Sequence, residues 1–120
     1  MWDTVKLLII EPSSRRRSRK PVIDELTRRM TAAYRESTYG FNYRGYRSCT
    51  CGAFSDNHGA HSIFIFKPAT VEIFTTSLCV HYLAFHRDEV PKEELEKVAA
   101  LPFGEAEPNQ EELYGTKYKY

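Results

Sequence analysis

The residues best suited to hold a metal ion are concentrated in the middle of this chain. All three cysteines and all four histidines of the 120 residues lie between positions 49 and 86, and the flanking segments contain none. Thiolate sulfur and imidazole nitrogen together suit zinc, which prefers a tetrahedral set of such ligands, better than they suit magnesium or calcium. The sequence therefore predicts zinc as a cofactor bound by the central region.

Two pairs of residues are the first choice as ligands. Cys49 and Cys51 are two residues apart, so their side chains point the same way on a strand or converge on a turn that Gly52 permits. His81 and His86 have a spacing that zinc-binding helices use. Side chains five positions apart on an ideal helix differ in direction by about 140°, so such a helix must tighten, fray or tilt near the metal. Together the four predict a closed Cys2His2 site.

Cys79 is the alternate fourth ligand, in place of His81. It lies seven residues before His86, which puts both side chains on one helix face without distortion. Its neighbours Leu78 and Val80 are apolar, a setting typical of a small core cysteine. The spacing leaves the choice between Cys79 and His81 open.

The other two histidines, His58 and His61, occupy a polar stretch that contains Asn57 and Gly59. Histidines in such turns usually face water. If they bound metal instead, the site could hold more than one zinc, or the helix histidines would not be needed as ligands and could have another function.

Hydrophobic spacing and turn residues predict the elements that must position these ligands. A strand is expected from Asp3 to Ile10, an amphipathic helix from 21 to about 36, and an irregular strand between Tyr39 and Arg47. A β-hairpin is expected from Ser62–Phe66 and Thr70–Phe74 around a three-residue loop. Two further helices are expected, one from about 77 to 88 and one that opens at Pro91 and is stopped by Pro102 and Gly104.

These elements predict a small single domain of the α+β class. A short sheet, made of the N-terminal strand and the β-hairpin, would pack with two or three helices around a zinc site. The zinc-binding domain is expected to span residues 1–101. Residues 102–120 are acidic and then rich in tyrosine and lysine, with little periodicity, and are expected to form an extended arm.

Charge is distributed unevenly along a chain whose net charge is only +1. Residues 1–50 carry eleven Lys or Arg against five Asp or Glu, while residues 51–120 carry six against eleven. The two halves could attract each other within one fold, or the basic half could bind an acidic partner. Candidate partner-binding residues are Arg15, Arg16, Arg17, Arg19, Lys20, Arg44 and Arg47, together with Arg28, Arg29 and Arg35 of the first helix.

Four protein ligands would leave no open position on the metal, which favours a non-catalytic zinc-binding domain that presents an interaction surface. Its partner would be a protein or a second copy of the chain, with nucleic acid as the second choice. The alternative is a small zinc-dependent hydrolase or deaminase-like enzyme with an open metal position and Glu89 or Asp56 as general base. The known signatures of those enzymes are absent. Thiol catalysis by Cys79 is a weaker third hypothesis, because it also needs an orienting group and an oxyanion hole.

Cellular context follows from composition. No apolar run approaches the length of a membrane span, and the apolar stretch before Glu11 is too short for an anchor. Three cysteines cannot all pair within a secreted monomer, so a reducing cytoplasm is expected, with no membrane partner.

Overall fold

A computed structural model describes most of the chain. The described residues are 3–13, 16, 18–39, 48–56, 60–66 and 70–115. In chain order the elements are β1 (Asp3–Lys6), α1 (Glu25–Arg35), β2 (Thr38–Tyr39), β3 (His61–Ile65), β4 (Val71–Thr75), α2 (Cys79–Phe85), a 3-10 turn (Arg87–Glu89), α3 (Lys92–Ala99) and α4 (Gln110–Tyr114). Outside the described residues lie Arg15, Arg17, Arg44, Arg47 and His58, together with 67–69 of the predicted hairpin, 116–120 of the predicted arm and most of the predicted irregular strand.

The four strands form one mixed sheet in the order β1-β4-β3-β2. β3 and β4 are the predicted hairpin, paired antiparallel with Ile63 opposite Ile73. β1 pairs parallel with β4, which places Val5 opposite Ile73 as well. The two-residue strand β2 adds to the other edge, where Thr38 pairs with Ser62. The predicted α+β class is confirmed.

The hydrophobic core lies between one face of this sheet and the helices. Ile63 and Ile73 are buried in one cluster with Met30 of α1 and Leu83 of α2. Because side chains alternate along a strand, Phe64 lies on the other face, away from this cluster. Burial of these apolar side chains holds the helices against the sheet.

β1 is shorter than the predicted strand because the chain turns sharply after Lys6. Leu8 has a φ of 55°, in the left-handed region that a branched residue rarely adopts. Its main-chain N–H donates to Glu94 Oε1 at 2.8 Å, and its side chain is fully buried. The turn directs the following residues, up to Ser13, away from the sheet.

α1 begins at Glu25, four residues after the predicted start. Asp24 is its N-cap and accepts a hydrogen bond from the N–H of Thr27 at 3.1 Å. The preceding residues, 21–23, are not helical, and Val22 N–H donates to the carbonyl of Ala84 at 2.8 Å. This bond joins the start of α1 to the end of α2.

α2 is shorter than predicted and ends before the second helix histidine. All seven of its residues are buried, and it stops at Phe85. His86 has a φ of −130° and a ψ of 33°, so it has left helical geometry, and a 3-10 turn follows. The spacing of the two histidines predicts that the helix distorts near the metal, and the helix ends between them, at Phe85.

The C-terminal part contains one predicted helix and one that was not predicted. α3 follows Pro91 as expected and buries Val98. Residues 110–114 of the predicted arm instead form α4, which a capping box between Asn109 and Glu112 closes at its N-terminus. Within the described part of the chain, no helix has the length and apolar character needed to cross a bilayer.

Candidate metal centre

The two cysteines that are two residues apart are carried by a tight turn. Cys49 N–H donates to the carbonyl of Ala53 at 2.8 Å, and Gly52 N–H donates to the carbonyl of Cys49 at 2.9 Å. Gly52 has a φ of +103°, which a residue with a side chain adopts only at a cost. An isolated bridge between Ser48 and Phe54 closes the base of this turn. The hydrogen bonds hold both thiols at its tip.

The two histidines come from the end of α2. His81 is fully buried within the helix, and His86 lies just beyond its last residue. Their rings are 5.1 Å apart between centroids and meet edge to face. Had the helix continued through His86, the two side chains would diverge by about 140°. The end of the helix therefore turns both rings toward one point.

Cys49, Cys51, His81 and His86 form one cluster. One ligand atom from each lies within 4.8 Å of all the others. Cys49 Sγ is 3.2 Å from His86 Nε2, and Cys51 Sγ is 3.3 Å from His81 Nε2. Around a tetrahedral zinc, with bonds of about 2.3 Å to sulfur and 2.0 Å to nitrogen, these pairs would be about 3.5 Å apart. The four residues could hold a metal ion after small shifts of their ligand atoms.

The site is mostly shielded from water. Cys49, His81 and His86 are buried, and Cys51 is half-buried. Burial raises the pKa of the Cys49 thiol, because desolvation penalises the thiolate, and nearby Cys51 adds to the effect. A bound cation reverses this preference, since it stabilises the deprotonated sulfur directly. The electrostatics of the pocket thus favour a metal ion over a pair of free thiolates.

Each histidine has a partner on the ring nitrogen that faces away from the cluster. His81 Nδ1 is 2.8 Å from the carbonyl oxygen of Leu113 in α4. His86 Nδ1 is 3.7 Å from Glu89 Oε2. Such outer contacts orient a ligating imidazole and select which nitrogen is free to bind. Both rings present Nε2 to the sulfurs.

The loop after β1 contacts residues next to both halves of the cluster. Thr50 Oγ1, between the two cysteines, donates to the carbonyl of Pro12 at 2.7 Å. Ser13 donates from its main-chain N–H and from its hydroxyl to Glu89 Oε1, each at 2.7 Å. The loop therefore braces the cysteine turn and the carboxylate beside His86.

The alternate ligand lies outside the cluster. Cys79 is completely buried in the core, and this burial raises the pKa of its thiol to about 12. A thiol in this setting packs like a small apolar residue. The structure brings together the four first-choice residues and leaves Cys79 with the core.

His61 belongs to a separate hydrogen-bonded group and is buried, not exposed in a polar turn as expected. His61 Nε2 is 2.9 Å from Asp56 Oδ2, and His61 Nδ1 is 3.2 Å from the hydroxyl of Ser37. The ring also packs against Tyr34, with centroids 5.0 Å apart. Asp56 donates its N–H to Ser77 Oγ at 2.8 Å, so this group joins the segment after the cysteine turn to β3 and to the residues before α2.

A cleft of about 430 Å³ lies beside the cluster. Its lining residues are Ile10, Glu11, Pro12, Ser48, Thr50 and Tyr82. Three of them are immediate sequence neighbours of Cys49, Cys51 or His81, yet none of the four clustered residues lines the cleft. The cleft therefore lies next to the candidate centre but does not expose its four clustered residues.

Among the predicted partner-binding residues outside α1, Arg16, Arg19 and Lys20 are described, and all three are exposed in the segment before α1. The first-helix arginines instead contact acidic residues of the same chain. Arg28 pairs with Glu107, Arg29 with Glu25 and Arg35 with Glu112.

Sequence reasoning missed two supports of the cluster. Leu113 acts through its main-chain oxygen, which leaves no mark in the sequence, although the spacing of Asn109 and Glu112 is typical of the helix start that positions it. The sequence predicts Glu89 only as a general base, although its position three residues after His86 is a signal that it could contact that ring.

Comparison with protein families, with curated proteins and with solved structures finds no match to this chain.

Proposed function

We propose that the chain is a non-catalytic zinc-binding domain whose metal centre supports an interaction surface. The observation that carries the proposal is the convergence of two sulfurs and two imidazole nitrogens within 4.8 Å, with no carboxylate among them. Four protein ligands of this type complete the coordination shell of a structural zinc. The metal would join the cysteine turn to the end of α2.

Zinc is proposed over other metals because of the donor set. Two thiolates and two imidazoles match a borderline-soft ion that accepts tetrahedral geometry, whereas calcium and magnesium prefer oxygen ligands. All three cysteines are free, as a reducing compartment requires. We propose a cytoplasmic location on the same ground.

A structural role is favoured over catalysis by the contacts of the two candidate bases. Glu89 accepts two hydrogen bonds from Ser13, and Asp56 is paired with His61. A general base must be able to reach a metal-bound water or the substrate, and these contacts occupy both carboxylates. None of the four clustered residues lines the neighbouring cleft, which favours a closed centre.

A protein partner is proposed for a surface next to the centre. Phe54 at the base of the cysteine turn and Tyr114 in α4 are 41% and 38% exposed. Gly115, next to Tyr114, packs so closely on Phe54 that a Cβ there would be 2.7 Å from the Phe54 carbonyl oxygen. The metal centre therefore supports two neighbouring segments that each expose an aromatic ring, a residue type enriched at protein interfaces.

Metal content tests the first part of the proposal. Untagged protein should contain one equivalent of zinc by elemental mass spectrometry. Replacement by cobalt should give the intense visible absorption of a tetrahedral thiolate site. Chelation should unfold the protein, because a structural metal contributes its binding energy to folding. A metal-free protein of undiminished stability, or a chelated protein that stays folded, would contradict a structural zinc site.

Crosslinking tests the second part. A photoreactive phenylalanine at position 54 should crosslink a protein partner or a second copy of the chain in the zinc-loaded state. The matched control is the same group at Phe66, which is 70% exposed on another part of the molecule. Equal crosslinking from both positions would show that the surface around Phe54 is not a specific binding site for a protein partner.

A further inference from the structure

We propose that a basic surface formed by Arg16, Arg19 and Lys20 binds the phosphate backbone of a nucleic acid. These residues belong to the run Arg15–Lys20, in which five of six side chains are basic, and no acidic residue occurs from 12 to 23. Closely spaced cations of this kind match the repeated charge of a phosphate backbone.

The structure divides the basic residues of the first half into two groups. Two of the three α1 arginines are matched by acids from the second half: Arg28 is 2.6 Å from Glu107, and Arg35 makes two hydrogen bonds to Glu112. The third, Arg29, pairs with Glu25 of the same helix. These contacts neutralise the basic face of α1. They also remove Glu107 and Glu112 from the acidic surface that would repel a phosphate backbone.

Arg19 and Lys20 differ from the α1 arginines in this respect. Both are exposed, and neither forms an ion pair or a side-chain hydrogen bond with any residue that the structure describes. Arg16 is exposed as well. Hydration stabilises the charges of Arg19 and Lys20 in the free protein, and release of condensed counterions from a nucleic acid favours contact of these charges with phosphate.

The backbone of the basic segment is held against α2. Ser18 N–H donates to the carbonyl of Phe85 at 3.2 Å, and Ser18 Oγ donates to the carbonyl of Lys20 at 3.0 Å. Val22 then donates to Ala84. These bonds fix the backbone on both sides of Arg19 and Lys20. A segment held in this way loses less conformational entropy on binding than a free tail does.

Nucleic acid is favoured over an acidic protein by the kind of cation present. Four of the five basic residues in the run are arginines, whose planar guanidinium can donate two hydrogen bonds to one phosphate. No aromatic side chain occurs between Pro12 and Ile23 to stack on bases. Binding is therefore expected to depend on the backbone and to tolerate changes of base sequence.

The test measures binding of zinc-loaded protein to fluorescein-labelled oligo(dT) and to a labelled mixed-sequence duplex by anisotropy at several salt concentrations. The double variant Arg19→Gln, Lys20→Gln should lower the slope of log affinity against log salt by about 2, because two phosphate contacts are lost. Its zinc content and melting temperature should match those of the wild type. Similar affinities for different base sequences are expected.

The matched control is Lys6→Gln, Lys92→Gln, which removes the same charge from two exposed lysines elsewhere. It should retain the wild-type slope. An equal loss in both double variants would overturn the proposal, since overall charge alone would then explain binding. Absence of binding to either oligonucleotide at low salt would also overturn it. Tighter binding of a polyglutamate peptide or of anionic vesicles would do the same and would assign the surface to a different partner.

Discussion

His81 donates its Nδ1 proton to the main-chain oxygen of Leu113 across 2.8 Å. A carbonyl oxygen can only accept, so this contact requires the proton on Nδ1. In the neutral ring, Nε2 then carries the free lone pair, and this nitrogen faces Cys51. α4 therefore selects the tautomer that a metal requires, although it contributes no ligand to the cluster.

Removal of α4 should weaken zinc binding. Deletion of residues 110–120 removes the acceptor for His81, and loss of such an outer contact typically lowers metal affinity about 10- to 100-fold. Competition with a fluorescent zinc chelator measures the change. Deletion of 116–120 alone is the control, since it leaves α4 in place and should keep wild-type affinity. Equal affinities for the two truncations would show that the contact does not tune the metal.

Replacement of either clustered cysteine should remove metal and stability together. Cys49→Ser or Cys51→Ser removes one of four ligands and should lower the free energy of unfolding of the zinc-loaded protein by about 3 kcal/mol, a quarter of the binding energy of a structural zinc. Urea unfolding and metal content measure the two effects. A Cys51→Ser protein that kept one tightly bound zinc would remove that residue from the ligand set.

Cys79→Ala provides the matched cysteine control. Its side chain is fully buried, so the substitution leaves a small cavity that should cost about 1 kcal/mol. It should retain one equivalent of zinc, because the thiol lies outside the cluster. Zinc loss in this variant would restore Cys79 as a ligand candidate.

The ion pair between Asp24 and Arg87 should stabilise the fold in a pH-dependent way. Two hydrogen bonds from the Arg87 guanidinium, at 2.7 and 2.8 Å, hold the pKa of Asp24 well below its ordinary value of 3.8. A carboxyl whose pKa is lower in the folded state contributes stability that is present above its unfolded pKa and is lost as pH falls toward the folded value. The contribution should therefore be complete at neutral pH and decline below about pH 4.

Asp24→Asn tests this contribution, because asparagine keeps the N-cap of α1 while removing the charge. We expect a cost of about 0.5 to 1 kcal/mol at neutral pH, after allowing for solvent screening of a half-exposed carboxylate. Urea unfolding of the variant and the wild type should show this difference shrinking between pH 5 and pH 3. A difference that is constant over this range would exclude the ion pair as its cause.

Arg35→Ala should destabilise the C-terminal region more than a typical surface substitution does. Its partner Glu112 is only 8% exposed, so the variant leaves a nearly buried carboxylate without its cation. Because Arg35 itself is partly solvated, we expect a loss of about 1 to 2 kcal/mol in urea unfolding. Arg28→Ala is the control, since exposed Glu107 is rehydrated when its partner is removed, and the loss should be smaller. A larger loss for Arg28→Ala would contradict this ranking.

The features that sequence could predict are those that depend on local pattern. The hairpin of β3 and β4 and the helix after Pro91 follow from alternation, turn residues and periodicity over short spans. β2 could not be predicted, because two residues carry no pattern and their pairing depends on β3. A helix of five residues, such as α4, is unstable in isolation. It forms because it packs against α2 and because Arg35 binds Glu112.

The candidate site was predictable in its residue types and less so in its geometry. Spacing alone left Cys79 and His81 as alternatives, because a continuous helix places Cys79 and His86 on one face. The outcome depends on where α2 ends, which reflects the backbone of His86 and the bonds that follow it. The pairing of Arg28 with Glu107 and of Arg35 with Glu112 could not be predicted either, because it depends on where residues 105–112 lie in the fold.

The parallel pairing of β1 with β4 has a consequence for how the protein folds during synthesis. Asp3 pairs with Val71, so a ribosome must release nearly seventy further residues before the strand that appears early finds its partner. Leu7 and Leu8 are fully buried in the folded chain, and the hydrogen bond from Leu7 N–H to the carbonyl of Phe74 cannot form before β4 has been made. Contacts this distant in sequence slow folding and leave such stretches open to aggregation. Co-translational chaperones should therefore affect the yield of this protein through the segment from Asp3 to Ile10.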